Sequence, residues 1–294
     1  MSSVQTGIQL GTPATGPAAV AAGLAVLTLL AIGGTLNLRW AAWWKRHPDR
    51  PRRAIRRLHR RPWDGHNAAG IFALAALLYA GATLGGMGLH LAGIVPGNPL
   101  VPAIVMTAVL HLGIIGAVLA DLRRHRLDWY AAFGRPRGLR REGTVAAAGY
   151  AAMLPAVFVL TILVHAMLRA TNLPTRPQAV LTVFSAEGMP LWLRILLIVT
   201  AVVTAPLAEE ILFRGILLPV LLKRWGACGA ILLSSAVFAA LHGNLTAFLP
   251  LMAASIAFSA GYAATGSIWT PILMHGIFNA SSLALLLAAG GLPA

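Results

Sequence analysis

Long apolar runs alternate with short, strongly basic segments along this chain. About 20 mostly apolar residues suffice to cross a bilayer as a helix. Such runs lie at 17–37, 67–94, 99–120, 144–168, 191–222, 229–247, 249–265 and 268–289. The pattern predicts an all-α polytopic membrane protein with about eight transmembrane helices. The run 191–222 would rise about 48 Å as one straight helix at 1.5 Å per residue, and Pro206 predicts a kink just before residue 209. The run 249–265 is short and contains Gly261, which predicts a tilted or partly re-entrant segment. No internal repeat is evident.

Composition agrees: 58% of the 294 residues are hydrophobic and 11% charged, far from a soluble globular balance. The net charge of +15 does not point to nucleic acid, because its distribution is that of topology signals. Residues 38–65 hold ten Lys and Arg, residues 121–143 seven, and Lys223 with Arg224 two more, 19 of the 23 in the chain. Eight crossings put all three segments on one side, which the positive-inside pattern makes cytoplasmic. The expected partner of these loops is the anionic headgroup surface of the membrane. The uncharged N-terminal tail then lies outside, and without a basic n-region the first apolar run reads as a retained helix. Trp40, Trp43, Trp44 and Trp63 read as interfacial anchors, and Trp129 with Tyr130 as part of a short amphipathic surface helix. The single cysteine, Cys228, excludes an intramolecular disulfide framework and reads as a small apolar residue.

Candidate chemistry begins with the acids. Six of the eight (Asp49, Asp64, Asp121, Asp128, Glu142 and Glu187) lie in polar segments or at run ends, whereas Glu209 and Glu210 sit deep inside one apolar run. An ionisable group at that depth costs about 2.5–3.5 kcal/mol even on a lenient scale and marks a functional site. Three spacings follow: Glu209-Glu210-x-x-x-Arg214, Phe238-x-x-x-His242 and His275-x-x-x-Asn279. Glu210 and Arg214 stand at i and i+4 and can pair. Glu209, about 100° away around the helix, has no local partner and is expected to face the bundle interior as a general base. His242 is expected near mid-bilayer, with Phe238 one turn earlier on the same face. His275 and Asn279 share a face, where Gly276 and small residues permit close helix approach. His90, His111 and His165 stand alone and are assigned no role.

These three motifs, in this order on successive apolar helices, resemble the CPBP family of intramembrane proteases, which embraces the type II CAAX prenyl proteases and the bacteriocin-processing Abi proteins. The resemblance covers about residues 140–290, and Gly138-Leu139-Arg140 is similar to the family's usual lead into its core. It implies N-terminal transmembrane helices with two basic cytoplasmic loops over 1–140, a protease core over 141–294, and a conical intramembrane active-site cavity. It implies further that Glu209 activates water, that Glu210 and Arg214 are its structural companions, that His242 shares the water or shuttles the proton, and that His275 and Asn279 stabilise the oxyanion.

An endopeptidase of this kind needs a nucleophile, and water is the best available, since no Gly-x-Ser-x-Gly elbow is present and Cys228, Ser234 and Ser235 lie away from the motifs. Glu209 with His242 could activate it alone. Alternatively, Zn2+ or another divalent ion held by Glu209, His242 and His275 could do so; without a His-Glu-x-x-His motif the two stay open, with the metal-free form preferred. The expected partner is a protein or peptide substrate, lipidated or not: a prenylated CAAX protein, a bacteriocin leader or a membrane-protein segment. The Ala-, Gly- and Arg-rich composition resembles that of a high-GC bacterium, placing the chain in the cytoplasmic membrane. The competing readings are a non-catalytic scaffold or immunity protein of the same fold, and a proton-coupled transporter.

Overall fold

The computed structural model describes residues 17–47, 49–93, 100–175 and 189–288. The N-terminal tail up to residue 16, predicted to lie outside the membrane, is beyond these residues, as is Glu187. Among the described residues the fold is all-α. In order come α1 (Pro17–Arg46), α2 (Asp49–His59), α3 (Gly65–Leu91), α4 (Leu100–Arg124), α5 (Trp129–Phe133), α6 (Leu139–Ala170) and α7 (Leu191–Val199). A π-helical turn (Thr200–Thr204), α8 (Ala205–Glu210), a second π-helical turn (Ile211–Leu217), α9 (Leu218–Leu241), α10 (Leu245–Thr265) and α11 (Trp269–Ala288) complete it.

Seven helical stretches among the described residues are long and apolar enough to cross a membrane, and one of them, Leu191–Leu241, runs for 51 residues. It is two crossings. Gly226, at φ 64° and ψ −174°, breaks the helix in a region of backbone space that only glycine enters freely. The rings of Phe213 and Phe238 meet at 5.2 Å, whereas unbroken helix would hold them about 37 Å apart. The chain therefore folds back at Gly226, and the apolar runs 191–222 and 229–247 are the two arms of a hairpin. The run 249–265 is not a short re-entrant piece but the greater part of a 21-residue helix, α10. Its start is capped by Asn244, whose side chain accepts from the Ala247 amide at 3.2 Å.

The basic segments converge at one end of the bundle. Arg61 donates to the carbonyls of Ala131 at 3.0 Å and Gly266 at 2.7 Å. Lys223 donates to the carbonyls of Arg61 and Trp63. The loops after α2, after α4, at the hairpin turn and after α10 are thus tied together by bonds to backbone carbonyls, many of them left over at helix ends. Trp40, Trp43 and Trp44 are exposed, as interfacial anchors should be, but Trp63 is fully buried. Its ring packs 5.6 Å from that of Phe133, so it belongs to the core. The helix expected at Trp129 is α5, begun by Asp128, which accepts from the amides of Tyr130 and Ala131. Tyr130 faces out and Phe133 is buried. Asp64 caps α3 by accepting from the Asn67 amide at 2.8 Å, and that bond holds its carboxyl below the usual carboxylate range. Behind this end, α8 packs between α4 and α11, and α10 lies against α6 and α9. That arrangement sets the polar residues of four crossings beside one another.

Candidate active site

The site starts from a flaw in a helix. In the first π-helical turn the Ala205 amide donates to the Thr200 carbonyl, five residues back. In that register the Ala201 carbonyl would await the amide of residue 206, which is proline and has none. The Asn279 side-chain amide supplies the donor from α11, at 2.7 Å. The two elements approach so closely that a methyl group on Gly276 would lie 2.9 Å from the Val202 carbonyl oxygen, which is why a glycine stands there. Around Pro206 the helix is loosened into π turns on either side of α8, where a kink was predicted. Between those turns sit Glu209 and Glu210.

Glu210 is fully buried and neutralised. Its Oε1 accepts from Arg214 Nη1 at 2.8 Å and from His275 Nδ1 at 2.9 Å. Arg214, also fully buried, donates through Nη2 to the carbonyl and hydroxyl oxygens of Ser255 on α10, at 3.1 and 2.5 Å. Its guanidinium lies between two aromatic faces, 4.7 Å from the Phe238 ring centre and 5.2 Å from that of Phe258. An ion pair at this depth is tolerable because hydrogen bonds and ring faces replace water around both partners.

His275 is held on three sides. Phe258 stacks on it at 5.0 Å, Phe238 meets it edge-on at 5.8 Å, and Glu210 fixes Nδ1. A carboxylate can only accept, so the hydrogen in that bond is on Nδ1 and the other nitrogen, Nε2, is turned to Glu209. The distance from Nε2 to Glu209 Oε2 is 4.0 Å. On the other side, His111 Nε2 of α4 lies 3.8 Å from Glu209 Oε1. Glu209 is 23% exposed at its side chain, so a partly exposed carboxylate stands between two imidazoles. Adjacent residues were expected to diverge. Instead both carboxylates flank one histidine, because an imidazole presents a nitrogen at each edge.

His111 was read from the sequence as a lone residue without a role; the structure corrects that, bringing it from the third crossing to the acidic pair. The clue in the sequence was the one used for Glu209, a titratable group deep in an apolar run. The helix that carries Phe238 ends at Leu241, and His242 caps it, exposed, with Nδ1 against the Phe238 carbonyl at 2.8 Å. Its ring still packs on Phe238 at 4.8 Å, but it forms no ion-pair contact with Glu209 among the described residues. Ser255 and Phe258 were not foreseen, since nothing in an Ala- and Ser-rich helix signals that it supports an arginine.

The metal-binding set of Glu209, His242 and His275 is not assembled, and among the described residues no group of three or more His, Cys, Asp or Glu is arranged to hold a metal ion. Nor do the residues of the motifs line the wide groove of about 1090 Å3 between α1, α6 and α10, so the expected conical cavity at the acidic pair is not that space.

Comparison with known proteins bears on the same segment. The family described as Type II CAAX prenyl endopeptidase Rce1-like matches residues 190–281, which include all three motifs but not His111. YdiL of Bacillus subtilis (strain 168), itself a proposed membrane peptidase, is 34% identical over 102 residues, covering 35% of this chain and 39% of that protein. No solved structure matches the chain. Glu209, Glu210, Arg214, His242, His275 and Asn279 thus all stand in the segment, residues 190–281, over which this multi-pass membrane protein is similar to the Rce1-like type II CAAX prenyl endopeptidases.

Proposed function

We propose that this protein is an intramembrane endopeptidase that hydrolyses a peptide bond with water activated at Glu209. The observation that carries the reading is a partly exposed carboxylate flanked by two imidazole Nε2 atoms, one of them in a ring locked by a second, neutralised carboxylate. Gaps of 3.8 and 4.0 Å are too long for direct hydrogen bonds and suit one shared water. Glu209 Oε2 is buried and has no hydrogen-bond donor among the described residues; a donor must come from water or substrate.

In the proposed reaction Glu209 accepts a proton from water as its oxygen bonds to the scissile carbonyl carbon. The proton passes to the amine nitrogen when the carbon–nitrogen bond breaks, with His275 and His111 as relay groups. Asn279 spends one amide hydrogen on Ala201 and keeps the second for the developing oxyanion. His242 keeps Nε2 free at the outer edge of the site and would meet the substrate there. The substrate class is a polypeptide whose cleavage point enters the membrane; the family name points to prenylated C-terminal peptides, and a leader peptide or membrane-protein segment fits the same site.

The reading is tested by comparing membrane-peptide populations of cells carrying wild type and Glu209→Ala: an uncleaved precursor accumulates in the variant. Identical populations would favour a non-catalytic scaffold. Replacing His111 with Ala is expected to lower kcat at least tenfold while leaving KM within twofold, measured by steady-state cleavage of that precursor. Exhaustive chelation is expected to leave the rate unchanged, checked by assay beside elemental analysis of the purified protein.

A further inference from the structure

At the basic end a cavity of about 590 Å3 opens between Arg57, Arg60, Arg61, Arg135 and Arg137, beside Gly134 and Gly266. A second, of about 830 Å3, shares Arg57, Arg60 and Arg137 with it and adds Trp43, Trp44 and Arg141. The second shares those three added residues, with Ala260 and Ala264, with the groove of about 1090 Å3. That groove runs between α1, α6 and α10, where Ala253, Ala257, Ala260 and Ala264 form one open stripe along α10. The three spaces therefore adjoin, setting a guanidinium-lined chamber beside an apolar trough, with two tryptophans on the shared wall.

No carboxylate among the described residues lines any of the three. Arg57 and Arg61 are bound to backbone carbonyls of Ala263 and Gly266. The side chains of Arg60, Arg137 and Arg141 form no hydrogen bond or ion pair with another described residue. Burial and, after it, the charges of Arg137, Arg141 and Arg61 hold the Arg57 guanidinium below its usual value. A topology signal needs only enough Lys and Arg in a loop. It does not require arginines from two separate loops to converge on one cavity without a counter-charge.

We infer that these joined spaces are a binding site for an anionic phospholipid, with its phosphate between Arg60, Arg137 and Arg141 and an acyl chain in the trough between α1, α6 and α10. Guanidinium suits phosphate through paired hydrogen bonds, tryptophan suits the headgroup boundary, and the alanine stripe leaves room for hydrocarbon. The inference does not depend on Glu209 or on proteolysis.

The test is native mass spectrometry of the full chain released from detergent, titrated with phosphatidylglycerol, phosphatidylcholine or glycerol phosphate. Phosphatidylglycerol is expected to bind at least tenfold more tightly than phosphatidylcholine. Arg60→Gln/Arg137→Gln/Arg141→Gln is expected to weaken phosphatidylglycerol roughly a hundredfold, about fivefold per guanidinium. Ala260→Phe, which fills the trough and keeps every charge, is expected to weaken both lipids. Equal affinity for the two lipids, full binding by the triple variant, or displacement of the lipid by an equal concentration of glycerol phosphate each overturns the site as a lipid site. Should the triple variant fail to fold, the wild-type chain decides: phosphatidylglycerol binding that does not fall as salt is raised overturns the arginine contacts.

Discussion

Glu209→Gln is expected to slow peptide hydrolysis about a thousandfold, within the 10²–10⁴ range that a positioned general base supplies, and to leave the folded state intact. The two consequences separate because Glu209 makes no direct hydrogen bond to a described residue; its neighbours stand at 3.8 and 4.0 Å. Glutamine has nearly the same shape and keeps one acceptor oxygen, but it carries no charge and cannot take the proton. The measurement is cleavage by purified protein in bilayers, with thermal unfolding followed in parallel. A variant that folds normally and cleaves at the wild-type rate removes Glu209 from the chemistry, and the water-activating reading with it.

Arg214 is expected to show the opposite behaviour. Arg214→Met leaves the fully buried Glu210 without its cation, and breaking a buried pair in this way costs about 3–5 kcal/mol. The side chain also fills the space between Phe238 and Phe258 and ties α8 to Ser255 of α10. Low yield of folded protein and a lowered unfolding temperature should follow. Adding Glu210→Gln removes the stranded charge while keeping an acceptor for His275 Nδ1, so the double variant should recover a large part of the loss. Equal stability of the single and double variants would show that the unpaired carboxylate is not the cause. Together the neighbouring glutamates then divide cleanly: one is needed for rate, the other for fold.

The i and i+4 pair of Glu210 and Arg214 was legible because a local helix dictates it, and it is present at 2.8 Å. The close approach at Gly276 was legible for a similar reason, a run of small residues on one face. His111 was not. Its depth in an apolar run was a clue, but His165 shares it, and that ring only bonds the Thr161 carbonyl one turn back. His242 was read as lying within its helix: an apolar run continues past Leu241, but the turn at Gly243, with φ 61°, comes first. Asn279 was read as an oxyanion donor, and its first obligation proved to be a carbonyl that a proline had left without a partner.

Apolar run length and the excess of Lys and Arg determined the membrane class, the eight crossings and the shared side of the basic loops, because both act through the bilayer and need no knowledge of which helices touch. The motif spacings picked out the candidate residues within 190–281 to which the proposed chemistry is assigned. Only the packed bundle decided that Gly226 folds one long helix into two, that two carboxylates meet one imidazole, that a histidine from the third crossing joins them, and that arginines from separate loops surround one cavity. Those contacts join residues far apart in the chain. Their energies depend on desolvation and on which helix faces meet, and neither is written in the periodicity of any single helix.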